Sequence, residues 1–165
     1  MVITTDIPLK GKPWNRVTDS FSLIFSTRTH YSIFILALSI GIMYDQRIEK
    51  LEEDIGEIKT VPRNVVQNND NGRLDFFFQA AVLTTTTENF EEEHRLELAF
   101  ADEVDFNKIA FLIPFANFGV TKLEELIGDT DIESMENIKN FLASTVEGSN
   151  FDIDGLPDDI LLEED

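Results

Sequence analysis

A run of 14 residues without a charged side chain, residues 31–44, constrains the fold most strongly. As a helix it would be about 21 Å long, whereas the hydrocarbon core of a bilayer is about 30 Å thick. Ser39 and Gly41 lie within it, and His30 and Asp45 flank it closely. The run therefore predicts a buried core helix rather than a membrane anchor. Gly41 is expected near the end of this helix, where a left-handed residue costs little. The side chains expected to be inaccessible are Ile33, Phe34, Leu36, Ala37, Leu38 and Ile40.

Apolar residues recur at helical spacing along most of the remaining chain, so the predicted fold class is all-α, a compact multi-helix domain. The further helices are expected over residues 14–25, 73–83, 90–101, 106–126 and 131–147. Pro114 and Gly119 should bend or divide the fourth of them. Residues 46–58 carry isoleucine and leucine among charged residues, which fits either a short amphipathic helix or a partly ordered connector.

Short polar side chains mark the expected helix boundaries, because they can accept hydrogen bonds from the free N–H groups of a first turn. Asp70 or Asn71 should cap the helix that follows the turn cluster at 68–72. Asp105 and Asp131 are the predicted caps of the last two helices. Four consecutive threonines, residues 84–87, predict a break, since threonine is a poor residue for a helix interior.

Charge divides the chain into unequal parts. The net charge is −19, yet residues 1–63 hold eight basic and eight acidic residues, so that the excess lies in residues 64–165. Such a field repels nucleic acid and anionic membranes and attracts basic surfaces. The plainer alternative is a solvated acidic face. We expect no direct binding of nucleic acid by the protein itself and no membrane association.

The predicted domain organisation is a flexible lead-in over residues 1–13, a helical domain over 14–146 and an acidic tail over 147–165. The tail has eight acidic residues and no basic one. Because Gly148, Gly155 and Pro157 interrupt it, it is expected to be disordered in the isolated protein and to dock onto a partner, with a passive tail as the alternative. The predicted partner-binding residues are Ile153, Leu156, Ile160, Leu161, Leu162, Asp158 and Asp159.

The residues needed for catalysis or metal binding are scarce. There is no cysteine, which excludes disulfides and thiolate metal sites and favours the cytoplasm. His30 and His94 are the only histidines, and the glutamates beside His94 point in different directions around a helix. A surface ion pair between Glu91 and Arg95 is the simpler expectation there. No activated nucleophile or glycine-rich phosphate loop is recognisable, so we predict that the protein is not an enzyme and has neither cofactor nor metal.

Two stretches carry a resemblance: residues 32–62, with SIFILALSIGI followed by Asp45, Arg47 and Pro62, and residues 115–126, with FANFG followed by LEEL. Together they resemble small helical accessory proteins of bacterial anti-phage defence islands. These include proteins associated with DNA phosphorothioation and the middle components of three-component systems built around an SMC-type ATPase. The resemblance implies a partner that is an ATPase or nuclease subunit of the same system, and it implies no catalytic residues.

The leading functional prediction is a non-catalytic accessory or scaffolding subunit of a bacterial anti-phage defence complex. The alternative is an acidic inhibitor, or DNA mimic, that occupies a basic nucleic-acid-binding surface. A membrane-associated protein anchored by residues 31–44 is a third possibility, which the length of the run disfavours.

Overall fold

The computed structural model describes residues 3–26, 29–53, 58–101 and 105–148. Over these ranges the chain forms seven α-helices and a sheet of two antiparallel strands. The elements are β1 (Ile7–Leu9), α1 (Lys12–Ser20), α2 (Thr29–Met43), β2 (Lys59–Val61), α3 (Arg63–Asn69), α4 (Arg73–Thr84), α5 (Glu92–Phe100), α6 (Lys108–Glu125) and α7 (Asp131–Gly148). The predicted all-α class is confirmed, with the two short strands as its only departure in these ranges.

Helix α2 lies at the centre of the fold, as its sequence predicts. Ile33, Phe34, Ala37 and Leu38 have no accessible surface, and Ile40 is buried as well. Leu36, which was expected to be inaccessible, is only partly buried at the edge of the core. A helix that is apolar on all sides must be covered on all sides, and α6 provides the most extensive contact.

Helices α2 and α6 approach each other through two glycines. A Cβ atom built on Gly41 would lie 2.0 Å from the carbonyl oxygen of Phe115, and one built on Gly119 would lie 1.8 Å from that of Ala37. Since the earlier residue of one helix meets the later residue of the other, the helices are antiparallel. Gly41 lies near the end of α2, as expected, but it is not left-handed: the helix continues to Met43, and the left-handed residue is Asp45, with φ 47°.

The segment treated as a flexible lead-in contributes to the core. Strand β1 pairs with β2 in the register Ile7 to Val61 and Leu9 to Lys59. Ile7 and Leu9 are buried, while the residue between them is exposed. Pairing with a strand some 50 residues away in the sequence thus orders this segment, and α1 starts at Lys12, where Pro13 occupies the first turn.

Two of the expected helix caps lie one or two residues from the actual ones. The side chain of Asn107, not Asp105, accepts the N–H of Ala110 at the start of α6. At α7 the hydroxyl of Thr130 accepts the N–H of Glu133, and Asp131 is the first helical residue. The chemistry of the cap is therefore as predicted, but the position is not.

The carboxylate of Asp70 accepts the N–H of Leu74 in the first turn of α4 at 3.1 Å, as expected of a cap, although the residue at the N-cap position is Gly72. The same carboxylate accepts the hydroxyl of Tyr31 at 3.0 Å. Burial, together with the Asp70 charge, raises the pKa of Tyr31 to about 12. The threonine break is also confirmed, because α4 ends at Thr84.

For two other expectations, the structure excludes one of the alternatives. Helix α6 runs without a division from Lys108 to Glu125 with Pro114 inside it. Residues 46–53 form no helix, and the backbone there is held by bonds such as that from the Ile48 N–H to the Pro114 carbonyl, at 3.0 Å. The chain between α2 and β2 is thus fastened to α6 and contributes no amphipathic helix over residues 46–53.

Candidate docking surface

A set of polar anchors fixes the hairpin of α4 and α5 to the centre of the fold. Beyond α2, the carboxylate of Asp45 accepts the hydroxyl of Thr85 at 2.6 Å and the backbone N–H of Thr86 at 2.7 Å. Burial acts to raise the pKa of Asp45, but the hydrogen bonds from the two threonines outweigh it, so the pKa of this carboxyl lies below its usual value. The threonines that end α4 therefore serve as donors to the end of α2.

Arg47 supplies a second anchor. Its guanidinium lies 5.1 Å from the ring centre of Phe111 and 5.2 Å from that of Phe115, and it forms an ion pair with Glu88 in the α4–α5 connection. Only 14% of its side chain is accessible. A charge this well covered, stacked on aromatic rings and paired, favours one fixed position of the connection.

The third anchor lies within the hairpin. The guanidinium of Arg95, on α5, donates to the carbonyls of Val82 at 2.7 Å and Thr85 at 2.8 Å, which are free because α4 ends there. The prediction of an ion pair between Glu91 and Arg95 is wrong, because the guanidinium donates hydrogen bonds to these carbonyls instead. Arg95 thus joins the first turn of α5 to the last turn of α4, and the two helices pack against each other.

The two stretches that carry the sequence resemblance meet in this part of the fold. Gly41 lies against the backbone of Phe115, and Arg47 stacks on the Phe115 ring. Asn117, a buried residue of the second stretch, accepts the indole N–H of Trp14 at 2.9 Å and donates to the carbonyl of Ile48 at 3.0 Å. The motif residues of both stretches therefore hold α1, α2 and α6 together.

The outer side of the hairpin exposes large apolar side chains. Phe76 is 65% accessible and lies two turns before Leu83 on α4, which is 38% accessible. On α5, Leu96 and Phe100 are 48% and 62% accessible and lie one turn apart. Residues at these spacings share one side of a helix, so each helix presents an apolar pair to solvent. We call these four residues the hairpin pairs.

Glutamates surround the pair on α5. Glu92 precedes Leu96 by four residues, while Glu93 and Glu97 precede Leu96 and Phe100 by three, so that all three lie beside the pair. Each of these glutamates is exposed. His94 is exposed too, 3.5 Å from Glu97 and with its ring edge on Phe90, as expected for a residue on a helix surface. An apolar pair with an anionic border is complementary to an apolar surface with a basic border.

The described ranges hold no group of three or more His, Asp or Glu side chains that could bind a metal ion. The turn at Asp129 stabilises the start of α7, where the Asp129 N–H donates to the Glu133 carboxylate at 2.9 Å. Among the helices that the structure describes, none is long and apolar enough to cross a membrane.

The seven predicted partner-binding residues of the acidic tail lie outside the described residues, so the structure does not test them. The hairpin pairs were missed because Phe76 stands beside Phe77 and Phe78 in the sequence, and a phenylalanine at helical spacing is usually a core residue. The available signal was the spacing of Leu96 and Phe100 among glutamates. Comparison of the chain with protein-family models, curated proteins and solved structures found no match.

Proposed function

We propose that the protein is a non-catalytic accessory subunit that binds a protein partner through the hairpin pairs. The observation that supports this is the exposure of Phe76 and Phe100 on a hairpin that several charged anchors hold in place. Exposed aromatic side chains on a rigid support lose little conformational freedom when a partner covers them, and aromatic residues are common energetic centres of interfaces.

The charge of the hairpin defines the chemistry of that partner. A net charge of −19 and the exposed glutamates beside Leu96 favour a partner whose apolar site is bordered by Lys or Arg. Opposite charges at the border accelerate encounter, while the apolar contacts slow dissociation. By the resemblance described above, we propose a cytoplasmic anti-phage defence complex in which the partner is an SMC-type ATPase or a nuclease.

Co-purification from the native host tests the proposal, followed by reconstitution with the partner that mass spectrometry identifies. The variant Phe76→Ser/Phe100→Ser removes the aromatic side chains from positions that are already exposed, so the fold should survive. Binding should weaken by at least about tenfold, since each truncated interface anchor typically costs more than 1 kcal/mol. The matched control is Leu23→Ser, which truncates an apolar side chain of 73% accessibility outside the hairpin.

Three outcomes distinguish docking through the hairpin pairs from the acidic-inhibitor alternative. Weakened binding by the double variant alone supports docking through the hairpin pairs. Equal binding by the double variant and the wild type contradicts it. If the partner is a nucleic-acid-binding protein from which duplex DNA displaces this chain competitively, the acidic-inhibitor alternative is the correct one.

A further inference from the structure

The two-stranded sheet leaves one edge of β1 without a neighbouring strand in the part of the chain that the structure describes. The far edge of β2 is occupied, since the Nδ1 of His30 on α2 donates to the Thr60 carbonyl at 2.6 Å. Pro8 lies opposite Thr60 and has no N–H, so the hydrogen bonds of the ladder belong to the pairs on either side of it. The carbonyl of Pro8 therefore points away from β2, toward the open edge.

Strand β1 forms one wall of a groove whose other wall is α6. Two clefts lie along this groove, with volumes of about 310 Å³ and about 270 Å³. The residues that line the first include Thr4, Asp6, Pro8, Asn107, Ala110 and Ile113, and those that line the second include Pro8, Lys10, Gly11, Leu51, Ile113 and Asn117. Both clefts contact Pro8 and Ile113, so they adjoin. We call the two clefts together the β1 groove.

The α6 wall is mostly apolar and matches several residues of an extended chain. Ile109, Ile113 and Asn117 follow one another at steps of four residues, so they lie on one side of the helix and span about 12 Å. At about 3.3 Å per residue, roughly four residues of an extended chain cover that length. Side chains two residues apart then point to the same side, so that consecutive ones can enter the two clefts.

The open edge indicates the conformation of the occupant, because the Pro8 carbonyl can accept an N–H. A helical segment uses its N–H groups internally beyond its first turn, whereas an extended segment directs an N–H toward a strand edge at every second residue. A second copy of β1 fits poorly. A symmetric pairing centred on Pro8 would place two carbonyls opposite each other with no N–H between them.

Lys10 adds a charge at one end of the β1 groove. Its side chain is exposed and forms no ion pair with the carboxylates in the described ranges. The other charged side chains of this cleft are paired, since Lys50 lies 2.6 Å from Glu53 and Glu49 lies 3.2 Å from Arg47. Lys10 therefore favours a segment with an aspartate or glutamate near one end.

We infer that the β1 groove binds an extended segment of a protein partner as an added strand, with apolar side chains in the two clefts and an acidic residue beside Lys10. This goes beyond the proposed function, because the groove shares no residue with the hairpin pairs and recognises a short segment of chain. A subunit with both surfaces holds a folded surface at the hairpin and an extended segment at β1.

Selection of phage-displayed random peptides of about nine residues on the full chain tests the inference. Ala110→Trp serves for counter-selection, because it adds a large side chain at an exposed position in the first cleft. The matched control is Ala143→Trp, the same substitution at an exposed position on α7. Selected peptides should alternate apolar residues and carry an acidic one. In calorimetry Ala110→Trp should weaken their binding at least about tenfold, and Ala143→Trp should leave it unchanged.

Methylation of the peptide backbone tests strand addition itself. The N–H groups of alternate residues in a strand point to opposite edges, so only one alternate set can pair with β1. N-methylation of that set should weaken binding at least about tenfold, whereas methylation of the other set should be tolerated. Lys10→Glu should weaken the acidic peptides several-fold, and more so at low salt. This variant changes only an exposed side chain, so it remains informative if Ala110→Trp folds poorly.

The inference is overturned if no selected peptide distinguishes the wild type from Ala110→Trp, or if peptides methylated on either set bind equally well. It is also overturned if Phe76→Ser/Phe100→Ser weakens the selected peptides, since they then bind at the hairpin pairs. A dimer in sedimentation that Ala110→Trp dissociates would show that a second copy occupies the groove, which contradicts the inference as well. Failure of the hairpin variants in the co-purification experiment leaves these outcomes unaffected, so the two proposals fail separately.

Discussion

Replacing Gly41 by alanine should destabilise the protein strongly although alanine favours helices. The new Cβ would lie 2.0 Å from the Phe115 carbonyl oxygen and 2.5 Å from its carbonyl carbon. A carbon–oxygen contact needs about 3.3 Å, so α2 and α6 would have to separate locally by roughly 1.3 Å. Both neighbouring atoms belong to a helix backbone, so no side-chain rotation relieves the overlap.

The magnitude follows from two opposing contributions. Overpacking a core typically costs 1–3 kcal/mol and sometimes more, and the Gly41 overlap should lie at or above the upper end of that range. Alanine returns about 1 kcal/mol through its higher helix propensity. The free energy of unfolding should therefore fall by about 2–3 kcal/mol, which lowers Tm by roughly 5–10 °C in a domain of this size.

Urea and thermal unfolding followed by circular dichroism measure this change. The comparison variant is Gly72→Ala, because its Cβ would meet no atom within 4 Å and only the left-handed backbone at φ 81° opposes it. This variant should lower the free energy of unfolding by about 1 kcal/mol, clearly less than Gly41→Ala. Gly119→Ala should resemble Gly41→Ala, and the double variant should cost less than the sum of the two, because one separation of the helices relieves both overlaps. Wild-type stability of Gly41→Ala, or strict additivity in the double variant, would refute the reasoning.

Three further predictions concern the core and its anchors. Asn117→Leu should lower the free energy of unfolding by about 2–3 kcal/mol in urea titrations, because it leaves the buried Trp14 indole N–H and the partly buried Ile48 carbonyl without their partner. Asp45 has a lowered folded pKa, so its contribution is complete above the ordinary carboxyl value of 3.8 and is lost as pH falls from there through the folded pKa. Asp45→Asn should thus flatten the loss of stability as the pH falls below about 3.8, and an unchanged acid limb would contradict this. Leu38→Asp should prevent folding or cost about 4 kcal/mol or more, and Leu36→Asp should cost clearly less because that side chain reaches the edge of the core, as circular dichroism melting will show.

The position of the central helix could be predicted from the sequence because its composition is compatible with only one environment, the interior of the fold. A run that is apolar on every side, yet too short to span a bilayer, must lie inside the fold, and α2 does. The role of Gly41 could not be predicted, because a glycine near a helix end can either adopt a left-handed conformation or allow another backbone to approach closely. The second explanation is correct, and it depends on Phe115, more than 70 residues away in the sequence.

The strands and the exposed phenylalanines were missed for related reasons. Strand β1 has three residues, one of them Pro8, and only its pairing with β2 makes it recognisable. Phe76 and Phe78 have the same chemistry, but two residues represent more than half a turn, so one lies outside while the other is buried. The rotation of a helix about its axis relative to the core determines which phenylalanine is buried, and the local sequence does not specify that rotation.

The crossing of α2 and α6 also bears on the synthesis of the protein. Gly41 leaves the ribosome 78 residues before Gly119, and at about 5–20 residues per second that interval is roughly 4–16 s. Throughout it, the most apolar helix of the chain has no α6 to cover it, whereas α4 and α5 can pair as soon as both have emerged. Nascent chains paused in this interval should therefore be the species most exposed to aggregation and to capture by chaperones.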